Sequence, residues 1–135
     1  MDDRALVEAF EATTLSGDDF PHAAHVRVGW YYLRHYPVLD AMARFKMALQ
    51  RFATAKGKPD RYHETITIAY LVLIAERLGA DRHLSWDEFA GKHRDLLTWQ
   101  PSILARYYRD DTLASARARE VFVTPDLSSM RDVTD

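Results

Sequence analysis

The chain has no cysteine, and only five glycines and five prolines in 135 residues. Without cysteine it forms no disulfide, offers no thiolate to a metal and has no thiol nucleophile. Its glycines are scattered, so no phosphate-cradling glycine-rich loop is present. No apolar run approaches the ~18 residues that a membrane span needs. Nor does any segment show the sustained period of two that marks a strand. Charge of one sign is scarce too. The formal net charge is -2, which argues against nucleic acid and membrane surfaces as partners. The acidic start Met1-Asp2-Asp3-Arg4 does not read as a signal peptide. Together with the lack of cysteine it sets the expectation of a cytoplasmic protein.

What is present is apolar residues at helical spacing. Hydrophobic residues make up 47% of the chain and charged ones 28%, the balance of a globular protein of one domain. Leu6, Ala9 and Phe10 give a first helix, capped by Asp2 or Asp3 and running to about residue 14. After the turn at 16–19, Pro21 suits the first turn of a second helix, which stops before Pro37. Gly29 sits in that helix's apolar stripe and predicts a close approach by a neighbour. Val38, Ala41, Met42, Phe45, Leu49 and Phe52 mark a third helix over 38–55, with Gly57 suited to its C-terminal cap. A fourth follows over 61–78, with Asp60 as its expected cap and Gly79 as its expected end. Nine of the ten residues from 66 to 75 are apolar, so other helices must surround it.

Ser85-Trp86-Asp87-Glu88 is a capping box for a short helix to about residue 94. Further short helical stretches are predicted over 101–108 and 113–120. The fold class is therefore all-α: an antiparallel bundle of four core helices with two or three short C-terminal helices. Residues 1–123 form the single domain, and 124–135 read as a flexible tail.

Polar, ionisable residues where a buried helix begins need partners or a task. Short connections make consecutive helices antiparallel, so the second and fourth begin at the same end of the bundle. That topology gathers His22 and His25 with His63, Glu64 and Thr67, closed off by Thr13 and Lys56. His22, His25, His63 and Glu64 form a candidate ligand set for a divalent transition metal such as Zn, Fe, Mn or Cu. Glu64 and His63 are candidate acid–base residues, with Thr67 orienting a water or the imidazole. Tyr32, Tyr62 and Tyr70 are the candidate walls of a cofactor or small-molecule pocket. The same residues admit a plainer reading, with His25 and His63 hydrogen-bonded in the core and Glu64 paired to an arginine. His63-Glu64 is not the zinc-protease pattern, since Thr67 occupies the position of the second histidine. His35, His83 and His93 read as exposed and unpartnered.

Phe20-Pro21-His22-Ala23-Ala24-His25, running into Val26-Arg27-Val28-Gly29-Trp30, and Tyr62-His63-Glu64-Thr65-Ile66-Thr67 resemble a group of short, uncharacterised bacterial all-helical proteins. Residues 118–126 resemble that group's C-terminal end. The resemblance covers most of the chain and implies a bacterial, stand-alone domain. It brings no activity, cofactor or catalytic residue with it. Two functions remain open from the sequence. One is a metal- or small-molecule-binding enzyme with its site at the histidine end. The other is a non-catalytic interaction module whose His/Glu cluster is structural. Aromatic-rich helix faces also make a homodimer a candidate assembly. A cavity at the histidine end favours the first function; a packed end beside an exposed apolar patch favours the second.

Overall fold

The computed structural model describes residues 1–127 of the chain. Seven α-helices follow one another: α1 (Asp3–Glu11), α2 (His22–His35), α3 (Val38–Ala55), α4 (Glu64–Asp81), α5 (Trp86–Lys92), α6 (Asp110–Leu113) and α7 (Ala116–Glu120). Single 3-10 turns lie between them at Gly17–Asp19, Pro59–Arg61, Arg94–Leu96 and Ile103–Arg106. The fold is all-α, with no strand among the described residues. None of the described helices is long and apolar enough to cross a membrane.

The helix ends show where local chemistry decides and where it yields. Asp2 caps α1 by accepting from the Ala5 amide, and Ser85 and Glu88 close a complete capping box on α5. Helix α2 stops at His35 because Tyr36, ahead of Pro37, is extended. Helix α4 departs from expectation at both ends. Asp60 is drawn into the 3-10 turn, Tyr62 and His63 are extended, and the His63 side chain caps the helix. At the far end the helix passes through Gly79 to Asp81. There Arg82 donates to the Leu33 and Arg34 carbonyls at the end of α2. Tertiary bonds of this kind outweigh the roughly 1 kcal/mol helical penalty of one glycine.

Helices α2 and α4 run parallel. Gly29 of α2 lies on Leu71 and Ile74, and further along both helices Leu33 meets Arg82. Helix α3 returns between them, with Lys46 in its middle reaching Glu64 at the start of α4. Helix α1 crosses α2 and α3. Its buried Phe10 lies 4.7, 6.0 and 5.5 Å, ring centre to ring centre, from Phe20, Phe45 and Phe52. Burying four such rings is worth roughly 1.5–3 kcal/mol each, which makes this cluster a main anchor of the bundle.

At the other end, His93 is not the exposed residue its sequence context suggests. Its ring is held between buried Asp81, at 2.7 Å, and Arg77, which also grips Asp95 with two bonds of 2.9 Å. A buried carboxylate requires such partners.

The C-terminal chain folds back onto the start of α4. Buried Thr65 donates to the Val121 carbonyl (2.8 Å) and accepts from the Val123 amide (3.0 Å). The Tyr108 hydroxyl donates to the Val123 carbonyl. The Asp126 carboxylate accepts from the Arg109 amide and from Thr112, and the amides of Asp126 and Leu127 both donate to the Tyr107 carbonyl. Residues 124–127 of the expected tail are thus tied to the domain. The rest of that tail, 128–135, lies outside the described residues.

A β-carbon at Gly29 would stand 3.1 Å from the Leu71 Cδ2 and 3.4 Å from the Ile74 Cδ1, so a methyl group needs a small shift of those side chains and a large side chain does not fit the contact. Gly29→Leu should destabilise the protein by about 2 kcal/mol or more, read as a lower urea midpoint. An unchanged midpoint would show that the two helices do not pack as closely as described.

Candidate functional site

Because α2 and α4 start at the same end, their first turns face each other beside the last turns of α3. Lys56 closes this end of the bundle by donating to the Thr13 carbonyl at 3.2 Å, as the topology predicts. The space between is not filled. A cavity of about 770 Å³ opens there, within the usual size range of small-molecule sites. Its apolar lining comes from Phe20, Val26, Phe45, Leu49 and Phe52 on one side and from Ile66, Leu71 and Ile74 of α4 on the other. His22, His25, Tyr62, His63, Thr67 and Tyr70 also line it, so six of the eight candidate residues meet at one place.

Their individual roles differ from those expected. His63 uses both ring nitrogens within the fold. Nδ1 accepts from the Ile66 amide at 3.1 Å, and Nε2 donates to the Leu113 carbonyl at 2.7 Å. This fixes the neutral Nε2–H tautomer and leaves neither a lone pair nor a proton for base or ligand work. Glu64 is not part of the cavity wall. It accepts from the Tyr62 hydroxyl at 2.5 Å and from Lys46 at 3.1 Å. Burial, reinforced by the Glu64 carboxylate, pushes the Tyr62 phenol well above its ordinary range, while a hydrogen bond from Thr67 partly opposes this. Tyr32 is elsewhere: it is buried, with its hydroxyl donating to Glu11.

His22 and His25 are placed differently. The His22 Nε2 donates to the Leu96 carbonyl at 2.9 Å, with its ring edge-on to Tyr70 and beside Trp99. Burial lowers its pKa, and the Leu96 carbonyl only partly offsets that. His25 stacks on Phe20 with ring centres 3.9 Å apart. Burial first, and the nearby His22 second, lower its pKa to about 4, against the opposing effect of the Phe20 backbone. Both imidazoles are neutral at pH 7. His22, His25, His63 and Glu64 thus share a region without converging on one point. Among the described residues no group of three or more His, Asp or Glu side chains is placed to hold a metal ion.

Sequence reasoning placed Lys56 at this end but missed the rest of the mouth of the cavity. Lys58, Arg61 and Arg119 line it with Lys56, against a single carboxylate, Asp18. Arg119 reaches it because α7 packs on α4 and its guanidinium donates to the Asp60 carbonyl. Trp99 arrives from the turn before the Ile103–Arg106 segment. No family model matches the chain, and no curated protein or solved structure matches it either.

Two consequences are measurable. Between about pH 6.5 and pH 4 the unfolded chain protonates His25 and the folded chain does not. Stability should therefore fall as pH drops through that window, by at most about 3 kcal/mol. Urea unfolding at pH 7 and pH 5 measures the slope, and His25→Gln should flatten it. His63→Ala removes a helix cap and strands the Leu113 carbonyl, at a cost of about 2–3 kcal/mol. His63→Asn, which keeps a capping oxygen, should recover part of that in the same assay.

Proposed function

We propose that this protein binds a small organic molecule in the cavity at the histidine end of the bundle. The observation that carries the reading is the unfilled space itself. A cleft of about 770 Å³, partly open to solvent, lies between the helices and falls within the size range of small-molecule sites. The lining supports the choice of an organic ligand over a metal. Its walls are mainly aromatic and aliphatic, and its inner polar groups are neutral imidazoles and hydroxyls. His25 is the group best placed to meet a ligand, since among the described residues no side-chain hydrogen bond consumes its second ring nitrogen. His22, Tyr62 and Tyr70 form the polar-aromatic wall. His63 holds that wall in position through the Ile66 amide and the Leu113 carbonyl.

If the ligand is a substrate, His25 is the residue we would give the proton-transfer role. A neutral imidazole can accept a proton at pH 7. The interaction-module alternative has less support, because the histidine end is open and not packed. Val38, Leu39, Met47 and Val72 are exposed apolar residues on α3 and α4. Scattered exposure of this kind is ordinary on a protein surface.

A fragment library of neutral and charged aromatics, read by ligand-observed NMR, tests the proposal. Hits should compete for one site and should be lost in Ala53→Trp, which fills the cavity from α3. That variant should keep its melting temperature within a few degrees, because Ala53 is only partly buried. A library without hits, or hits indifferent to Ala53→Trp, would sink the reading.

A further inference from the structure

The arrangement of charge around the cavity says more about the occupant than its volume does. The chain as a whole carries a formal net charge of -2. The cavity does not share that balance: Lys56, Lys58, Arg61 and Arg119 line it with only Asp18 to answer them. Among the described residues, none of these four cations forms an ion pair. Elsewhere several cations are paired, while Arg34, Arg51, Arg82, Arg94 and Arg117 are not, among the described residues. Arg27 holds Asp3, Arg44 holds Asp40, Lys46 holds Glu64 and Arg77 holds Asp95.

Two of the four cations spend hydrogen bonds on backbone carbonyls, Lys56 on Thr13 and Arg119 on Asp60, which fixes their position at this end. Lys58 precedes the 3-10 turn at Pro59–Arg61 and Arg61 ends it, and both are exposed. The cations therefore come from α3, the following turn and α7, three parts of the chain brought to one opening. Deeper in, the side chains change character. Phe20, Phe45, Leu49, Phe52, Ile66 and Ile74 offer no charge at all.

Building on the small-molecule reading above, we infer that the ligand is an amphipathic anion. Its carboxylate or phosphate head sits at the mouth among Lys58, Arg61, Lys56 and Arg119, and its apolar body lies along the α3 and α4 walls. The polarity runs one way only. A charged head inside would lose its hydration against uncharged walls, whereas at the mouth it keeps water and gains cations. A cationic ligand meets repulsion at the same opening. His22 and His25, neutral and further in, can hydrogen-bond a polar atom of the body without competing for the head.

Three probes with one apolar body separate the head from the cavity: 2-naphthoate, 2-naphthyl phosphate and the neutral 2-naphthalenemethanol, titrated by calorimetry into the full chain. The anions should bind more tightly than the alcohol and should weaken as salt rises. In Lys58→Gln/Arg61→Gln the anions should lose about five- to tenfold in affinity, as expected for two partly exposed charge contacts. The alcohol should change by less than about twofold. Both residues are exposed on a turn, so the variant keeps its fold, and the wild-type comparison stands without it. Whichever anion binds better identifies the head group. Alcohol binding equal to or tighter than both anions, or anion affinity indifferent to salt and to the double variant, overturns the anionic assignment and leaves the cavity reading intact. No binding of any of the three overturns both.

Discussion

The packing of α2 on α4 at Gly29 is the constraint on which the rest depends. A hydrogen in place of a side chain lets Leu71 and Ile74 come to 3.1 and 3.4 Å of where a β-carbon would stand. Two helices that touch this closely at mid-length, and run parallel, must bring their first turns to the same end. Leu71 and Ile74 are also cavity-lining residues, so the side chains that seal the contact form the inner limit of the open space. Contact and cavity are one feature: the helices meet at Gly29, and the wider space at their N-terminal ends is lined by Tyr62, Tyr70 and the histidines.

The His63 region fits the plainer of its two sequence readings, a hydrogen-bonded residue of the fold. An ionisable pair where a buried helix begins does demand partners, and it has them. The partners are the Ile66 amide and the Leu113 carbonyl for His63, and Tyr62 and Lys46 for Glu64. The Ile66 bond is local, but Leu113 lies 50 residues away, on a segment whose docking no periodicity in the sequence reveals. Thr65 makes the same point. It reads as one polar residue among several, yet it is fully buried and binds the chain at both Val121 and Val123. A cap and a clasp require the same residue types as a catalytic cluster, and only the far partner distinguishes them.

Much of the fold was legible because its signals are local. The stripe from Val38 to Phe52 gave α3, Pro37 gave the break before it, and the Ser85–Glu88 box gave the start of α5. The meeting of His22, His25 and His63 followed from loop lengths alone. What could not be read was whether an apolar stripe faces another side chain or an empty space. Phe45 and Phe52 pack on Phe10 and also border the cavity, and nothing in their spacing separates the two. The cationic mouth was hidden for a similar reason. Lys56, Lys58 and Arg61 are neighbours in sequence, but Arg119 reaches the opening only because α7 packs against α4.

Side-chain chemistry is graded along the depth of the cavity, and the gradient follows from the cost of desolvation. Charges remain at the opening, where water still reaches them. The imidazoles of His22 and His25, whose pKa values burial has driven down, share the buried lining with rings and aliphatic chains. An unpaired charge in the depths would cost several kcal/mol, and no carboxylate or ammonium lines that part of the cavity. The one candidate carboxylate from the start of α4, Glu64, is turned away and neutralised by Lys46 outside the cavity wall. With Glu64 outside the wall, Asp18 is the one carboxylate in the lining beside Lys56, Lys58, Arg61 and Arg119.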